Sequence, residues 1–171
     1  EQLLAARRPI LILGEAGTGH ETAARALRVP DAPWVALPGG SRLAANPLAV
    51  LEEAREGTLF CAEIGQYTKA EQRGLTFLMP KLDKANVTLV CTSAEPLGNM
   101  AAEGKFDAAL LSALSTGAIL LPPLRARRED IPALIERFWS DVVAQERNAQ
   151  QAAARPLATL QPPALSALSA A

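Results

Sequence analysis

Gly14-Glu15-Ala16-Gly17-Thr18-Gly19-His20-Glu21 is the stretch on which the interpretation of this chain depends. The apolar run Pro9 to Leu13 precedes it, and a segment of helix formers from Glu21 to Leu27 follows it. A short apolar run that ends at a glycine predicts a buried strand, and the segment behind it predicts a helix. Because a strand, a glycine-rich turn and a helix together direct backbone N–H groups at an anion, the stretch predicts a phosphate-binding loop.

One position of this loop departs from the pattern G-x-x-x-x-G-K. In that pattern the backbone cradles the phosphates and the lysine reaches the β- and γ-phosphates. Gly14 and Gly19 match, but His20 stands where the lysine belongs. Histidine is shorter and mostly neutral near pH 7, so the fixed positive charge is lost. Two interpretations stay open: a tight turn without a ligand, or a loop in which His20 still donates a hydrogen bond to a phosphate.

Length and composition limit the class of protein. A chain of 171 residues fits one domain, or one domain and part of a second. The net charge of −1 argues against a nucleic-acid-binding surface in this segment. No apolar run is long enough to span a membrane and no signal peptide is visible, so we expect a cytoplasmic protein. Because His20 is the single histidine, we expect no histidine-based metal cluster or catalytic triad, and no metal site.

Five apolar runs predict strands that alternate with helices, as in a parallel sheet covered on both faces. The predicted strands are Pro9–Leu13, Trp34–Leu37, Thr58–Ala62, Val87–Thr92 and Ala118–Leu121. The predicted helices are Glu21–Arg28, Pro47–Arg55, Lys69–Met79 and Phe106–Leu114, with a short turn at Leu97–Glu103. We interpret Cys61 and Cys91 as buried, reduced thiols, with a redox pair as the alternative.

The pattern changes after the fifth strand. Asp130 is a candidate N-cap, and an apolar stripe with helical spacing follows it through Val143. The Phe138 and Trp139 part of this stripe fits packing inside a helical unit, or a groove for a partner. Residues 148–156 are expected to be a weak helix end or a linker, and one more short helix is predicted from about Pro163.

Three ordered motifs make the chain resemble the central AAA+ domain of bacterial enhancer-binding proteins, the activators of sigma-54 RNA polymerase. The first motif is the loop itself, which the family writes G-E-S-G-T-G-K-E. The second is Gly57 to Gly65, which matches G-T-L-F-L-D-E-I-G around Walker B, and the third is Leu121 to Pro132, which matches L-P-P-L-R-E-R-R-E-D-I-P. The resemblance implies an α/β three-layer P-loop fold with a five-stranded parallel sheet in the order 5-1-4-3-2. It also implies a core over residues 1–128 with a degenerate P-loop, and the start of a small helical lid over 129–171.

The resemblance also identifies positions where the catalytic groups of the family are replaced. The Walker B aspartate, which helps to hold Mg²⁺, is Ala62, and only the neighbouring Glu63 remains. Glu63 is then either a relic or a capping carboxylate. The sensor I asparagine falls at Ser93, and the two arginine-finger positions fall at Asp107 and Ala113. Since loss of a finger alone costs about 10³–10⁵ in rate where it is known, we expect no useful hydrolysis.

The insertions of the family are missing as well. No G-A-F-T-G-A loop stands between Leu37 and Gly57, where Gly39-Gly40-Ser41 resembles a plain turn, and the later insertion has shrunk to Lys81–Asn86. We therefore expect a pseudo-ATPase module of a bacterial transcription regulator. It would self-associate as a dimer or higher oligomer, or contact other regulator or polymerase proteins, and reach DNA only through domains outside this chain.

An alternative hypothesis gives the old site a ligand. The nucleotide-binding residues would be Gly14, Glu15, Gly17, Thr18, Gly19, His20 and Glu21. In this hypothesis the domain senses ATP, ADP or a cyclic dinucleotide without hydrolysing it. No cofactor is then required, and ATP or ADP is the ligand that the loop could still take. We expect the scaffold and keep the sensor as the alternative.

Overall fold

The computed structural model describes residues 9–153 of the chain. Within this range the chain forms two compact units, residues 9–126 and residues 127–153. The predicted helix near Pro163 lies outside the described residues. The first unit contains the sheet and all of the sequence motifs up to Ala126.

A five-stranded, all-parallel sheet organises the first unit. Its spatial order is β2-β3-β4-β1-β5, which confirms the order expected from the resemblance. Each strand begins and ends within one residue of its predicted bounds. The strands are β1 (Ile10–Leu13), β2 (Trp34–Leu37), β3 (Thr58–Cys61), β4 (Thr88–Ser93) and β5 (Ala118–Leu120).

Helices connect the strands, and polar residues fix where several of them begin. Asn46 accepts a hydrogen bond from the N–H of Ala49, and Thr68 and Glu71 form a capping box. The helices of the first unit are α1 (His20–Ala26), α2 (Ser41–Ala45), α3 (Pro47–Glu53), α4 (Lys69–Leu78), α5 (Leu82–Ala85), α6 (Leu97–Ala102) and α7 (Ala108–Leu114). The prediction of a plain turn at Gly39-Gly40-Ser41 was wrong, because Ser41 begins α2. Likewise, the shortened stretch Lys81–Asn86 contains a helix of its own, α5.

Alternation along the strands sends side chains to two different clusters. Leu11, Leu59 and Leu89 point to one face, where they form the main core with α2 to α7. Ile10, Phe60 and Val90 point to the other face and pack against α1. The main core is therefore aliphatic and large, while the second cluster is small and includes a stacked Trp34–Phe60 pair with ring centroids 5.4 Å apart.

The two cysteines lie side by side in the main core. Cys61 on β3 is the register partner of Cys91 on β4, and both are fully buried free thiols. A hydrogen bond with Cys61, together with burial, raises the pKa of the Cys91 thiol well above its usual range. Because the thiolate is the reactive form, both residues act here as small apolar side chains.

The edge strand β5 differs from the prediction of a sheet buried on both faces. Ala118 and Leu120 are exposed, and 75% of Leu120 is accessible to solvent. An apolar run of three residues matches a buried strand in composition, but burial depends on the neighbours that an edge position lacks. Within residues 9–126, α1 is the helix that packs on the side of the sheet opposite the main core.

The second unit begins with Arg127 and contains the long helix α8 (Ile131–Ala153). The helix continues past residue 148, where a weak helix end or a linker was expected. Much of its apolar stripe is exposed, including Ile135, Phe138 and Trp139. None of the described helices is both long enough and apolar enough to cross a bilayer.

Gly74 tests how closely the helices pack in the main core. A Cβ at Gly74 would lie 2.2 Å from the carbonyl oxygen of Leu43, because α4 crosses the backbone of α2 there. We expect Gly74→Ala to lower the free energy of unfolding by about 1–3 kcal/mol, as overpacking does. Gly98→Ala is the matched control, since its Cβ would meet nothing within 4 Å on α6. Urea denaturation measures both, and equal stability of the two variants would contradict the close approach.

Candidate phosphate-binding site

The carboxyl ends of β1, β4 and β3 lie next to one another and bring most of the predicted site residues together. The loop Gly14–Glu21 follows β1, Ala62 and Glu63 follow β3, and Ser93 ends β4. In open parallel sheets, ligands bind outside the carboxyl ends of the strands. This edge is therefore the position that the topology favours for a site. Asp107 and Ala113 belong instead to α7 and its N-cap.

The loop has the backbone conformation that its glycines permit. Gly17 and Gly19 adopt left-handed φ angles of +82° and +94°. A Cβ at Gly14 would lie 2.8 Å from the carbonyl oxygen of Leu121 and 2.9 Å from Oγ1 of Thr18. The Thr18 hydroxyl donates to the carbonyl oxygen of Glu15 at 2.8 Å and closes the turn. The loop thus keeps its shape through contacts within the chain.

His20, the first residue of α1, directs its side chain back under the loop. Only 8% of the imidazole is exposed, and its Nδ1 lies 3.5 Å from Oε1 of Glu63. The other nitrogen, Nε2, would lie 3.0 Å from a Cβ at Gly14, so it faces the interior of the loop. Within residues 9–153, this Nε2 is a buried nitrogen without a hydrogen-bond partner. An unsatisfied buried nitrogen costs free energy, and it marks a place where an acceptor could bind.

Glu63 connects the ends of β3 and β4. Its N–H donates to Oγ1 of Thr92 at 3.0 Å, and its Oε2 accepts from the N–H of Ala94 at 2.9 Å. Its backbone φ of +47° is left-handed, which is uncommon for residues other than glycine and asparagine. Glu63 precedes the short turn Ile64–Gln66, but its carboxylate does not cap that turn; it binds the amide of Ala94 and faces His20.

Ala62, the residue before Glu63, packs on the face of the sheet that carries the small cluster. Its N–H donates to the carbonyl oxygen of Leu37 at 3.0 Å, and its methyl group packs beside the small cluster around Phe60. The position offers no oxygen to a cation. Residues 9–153 contain no group of three or more histidine, cysteine, aspartate or glutamate side chains placed to hold a metal ion.

Ser93 uses its hydroxyl within its own turn. Its Oγ donates to the carbonyl oxygen of Glu95 and accepts from the N–H of Glu95, both at 3.1 Å. The side chain is almost completely buried. The hydroxyl therefore stabilises the exit from β4, while the carbonyl oxygen of Ser93 accepts from the N–H of Gly14 at 3.4 Å.

A depression of about 260 Å³ lies beside the loop. Its charged and titratable lining consists of two carboxylates, Glu21 and Glu63, and the imidazole of His20. Among residues 9–153, neither lysine nor arginine contributes to its lining. The full set of lining residues is Gly17, Gly19, His20, Glu21, Thr22, Phe60, Ala62, Glu63 and Thr92. The depression therefore lies where a phosphate-binding loop would hold an anion. Its two carboxylates repel an anion, however, whenever His20 is neutral.

An ion pair that the sequence did not reveal holds the start of the loop. Both guanidinium nitrogens of Arg125 donate to the carboxylate of Glu15, at 2.7 and 2.5 Å. This bidentate pair lowers the pKa of Glu15 and raises the pKa of Arg125, chiefly through the hydrogen bonds. Arg125 belongs to the third sequence motif, and both side chains of the pair are exposed.

Asp107, which the family resemblance places at an arginine-finger position, has a structural role. Its carboxylate accepts from the N–H of Leu110 at 2.8 Å and so caps α7. Its own N–H donates to Oε1 of Gln72, a buried side chain whose Nε2 donates to the carbonyl oxygens of Tyr67 and Lys105. Ala113 lies within α7 and is partly buried. Both positions therefore contribute to the fold around α7.

A parallel sheet in this order, with a glycine loop after β1 and an acidic residue after β3, defines a P-loop domain of the AAA+ type. A family model described as the sigma-54 interaction domain matches residues 1–124. The chain therefore belongs to the family of sigma-54 interaction domains of bacterial transcriptional activators.

Individual relatives agree with this assignment. The chain is 30% identical over 168 residues to the Psp operon transcriptional activator of Escherichia coli, covering 77% of this chain and 50% of that protein. It is 33% identical over 175 residues to the alginate biosynthesis transcriptional regulatory protein AlgB of Pseudomonas aeruginosa, covering 83% of this chain and 39% of that protein. The chain thus spans half or less of the length of these relatives.

A solved structure shows the same fold. NtrX from Brucella abortus, crystallised in complex with ATP, superposes with a TM-score of 0.72 at 26% identity. The match covers 84% of this chain and 40% of the NtrX chain. This likeness supports the order of the sheet and the position of the loop.

The role of Asp107 can be tested by stability. We expect Asp107→Ala to lower the free energy of unfolding by about 1 kcal/mol, because the N-cap of α7 is lost. Asp107→Ser, which keeps a capping oxygen, should remain within a few tenths of a kcal/mol of the parent. Thermal and urea denaturation of the three proteins make the comparison. A loss in Asp107→Ser equal to that in Asp107→Ala would count against the capping role.

Proposed function

We propose that this chain is a pseudo-ATPase domain of a bacterial transcription regulator and acts as a scaffold for protein contacts. Its contacts would be self-association, or binding to other regulator or polymerase proteins. DNA would be reached through domains outside this chain. The observation that carries the proposal is that groups at the old catalytic positions serve the fold or carry no charge.

The charge balance supports the absence of hydrolysis. Phosphoryl transfer depends on fixed positive charge around the γ-phosphate, from a lysine, a metal ion and an arginine finger. His20 replaces the lysine, and Ala62 offers no oxygen to Mg²⁺, which prefers carboxylate ligands. The depression beside the loop is lined by Glu21 and Glu63 instead. A Mg²⁺ ion at this site would therefore lack the aspartate ligand that the family has at the position of Ala62.

The former finger positions support the same proposal. Asp107 is negative and is committed to the N-cap of α7, and Ala113 carries no charge. Neither side chain can stabilise the negative charge that develops on a transferring phosphoryl group. A subunit with these residues has no group to insert into the nucleotide site of a neighbour. Self-association would then rest on surfaces that do not require a nucleotide.

Phosphate release tests the loss of catalysis. We expect the purified chain with ATP and Mg²⁺ to release phosphate at the background rate, and Glu63→Gln to be indistinguishable from it. The background is set by a heat-inactivated sample of the same preparation. Turnover that Glu63→Gln abolishes would show that Glu63 still orients water and would remove the proposal.

Sedimentation tests the scaffold. We expect the distribution of oligomers to be the same with and without ATP, because no charged group of the site spans subunits through a nucleotide. Asp107→Arg, which restores the positive charge of an arginine finger, is compared with the parent in the same sedimentation experiment. A protein that stays monomeric at high concentration and captures no regulator or polymerase subunit would contradict the scaffold.

A second candidate function is sensing of a nucleotide without turnover. Two observations favour it: Gly17 and Gly19 keep the left-handed conformation of a phosphate cradle, and Nε2 of the buried His20 faces that cradle. Calorimetric titration with ATP, ADP and a cyclic dinucleotide, each with and without Mg²⁺, distinguishes it from a pure scaffold. We expect binding that does not depend on Mg²⁺. Absence of binding at millimolar ligand would exclude the sensor.

A further inference from the structure

Among residues 9–153, His20 is a buried titratable side chain with one ring nitrogen toward Glu63 and the other toward Gly14 of the loop. Its imidazole is more than nine-tenths buried, and the two ring nitrogens face different groups. Nδ1 is 3.5 Å from the Glu63 carboxylate, while Nε2 is directed toward Gly14 and lacks a hydrogen-bond partner within residues 9–153. When the ring is protonated both nitrogens carry a hydrogen, and a ligand oxygen inside the loop would then meet an Nε2–H donor.

The other charged groups near His20 are already balanced. Glu21 lines the same depression, but its carboxylate accepts a hydrogen bond from Arg25 at 2.6 Å. Glu15 at the start of the loop is paired with Arg125, and Thr92 on β4 is neutral. Glu63, from the turn after β3, is therefore the carboxylate that faces the imidazole directly. Two states result: a neutral imidazole beside a net negative charge, or an imidazolium that balances it.

We propose that the loop is a proton-gated, metal-independent site for a phosphate-bearing anion, with protonated His20 as the gate. This inference rests on the nucleotide-sensing candidate above and adds its regulation. Protonation places a positive charge on Nε2–H toward the loop and neutralises Glu63. In the neutral state the Glu63 carboxylate repels the ligand. Because Ala62 supplies no oxygen to a divalent cation, the proton takes the role that a lysine and a metal have in an intact loop.

The direction of the effect follows from histidine chemistry. Protonation gives the imidazole a positive charge, so the affinity for the anion rises as the pH falls. Since a hydrogen bond to a charged donor is roughly twice as strong as one to a neutral donor, we expect the gain in affinity to be about tenfold. A fixed charge at the same position would remove the dependence on pH.

Calorimetric titration with inorganic pyrophosphate and with ADP, both in EDTA, tests the gate at about pH 6 and about pH 8. We expect the parent to bind about tenfold more tightly at the lower pH. His20→Lys should bind each probe with similar affinity at both pH values. Any change in its affinity with pH reports the protonation of the probe itself. His20→Gln, neutral throughout, should bind weakly at both. Glu63→Gln should bind more tightly than the parent at the higher pH, because its side chain no longer repels the anion.

The control variant is Glu52→Gln, which removes an exposed carboxylate that pairs with Arg55 far from the loop. It should keep the parent's dependence on pH. Binding of pyrophosphate and ADP alike would identify the phosphate as the recognised group, and binding of ADP alone would transfer the recognition to the nucleoside and overturn the anion site. If the affinity of the parent changes with pH no more than the affinity of His20→Lys does, the proton gate is overturned, but nucleotide sensing remains possible as a function. If the parent binds neither probe at either pH, both the gate and the sensor are excluded.

Discussion

Glu63 ties the carboxyl ends of β3 and β4 together, and the arrangement of the site depends on this tie. Its backbone donates to Thr92 and its carboxylate accepts from Ala94, so two strands are fixed by one residue. These bonds hold a left-handed backbone that costs of order 1 kcal/mol or more in isolation. The same carboxylate faces His20, which lies under the loop after β1. Three neighbouring strand ends are thereby connected without a ligand.

The sheet could be predicted closely because its signals are local. Short apolar runs bounded by glycine, proline or charged residues predicted every strand, and the N-cap at Asn46 and the capping box at Thr68 are equally local signals. The order of the strands came from the family resemblance, since a local pattern does not state which strands are neighbours. The exposure of Leu120 on β5 was missed because the composition of a strand does not reveal that it lies at an edge.

The site was predicted unevenly, for physical reasons. The glycine loop, Ala62 and Glu63 could be placed from motifs, since the ends of parallel strands meet at one edge. The Arg125–Glu15 pair joins residues 110 positions apart and has no local signal. The cap at Asp107 had a signal that was overlooked: an aspartate directly before a helix is a strong N-cap, whatever residue a relative has there.

The structural roles of the replaced residues explain how such a domain stays folded without a nucleotide. In an intact site, buried charges are balanced partly by the ligand and its metal, so their removal leaves unpaired charge. Here Glu15 is balanced by Arg125, Asp107 by the N-terminal amides of α7, and Glu63 by the amide of Ala94. His20 Nε2 is the exception, a nitrogen that the fold buries without a partner within the described residues. Stability and ligand binding are thus separated, because the charges that the fold needs are satisfied internally and one nitrogen is left to respond to its surroundings. Under the proposed function, such a domain would serve as a scaffold throughout and would respond to a ligand only under the conditions that charge His20.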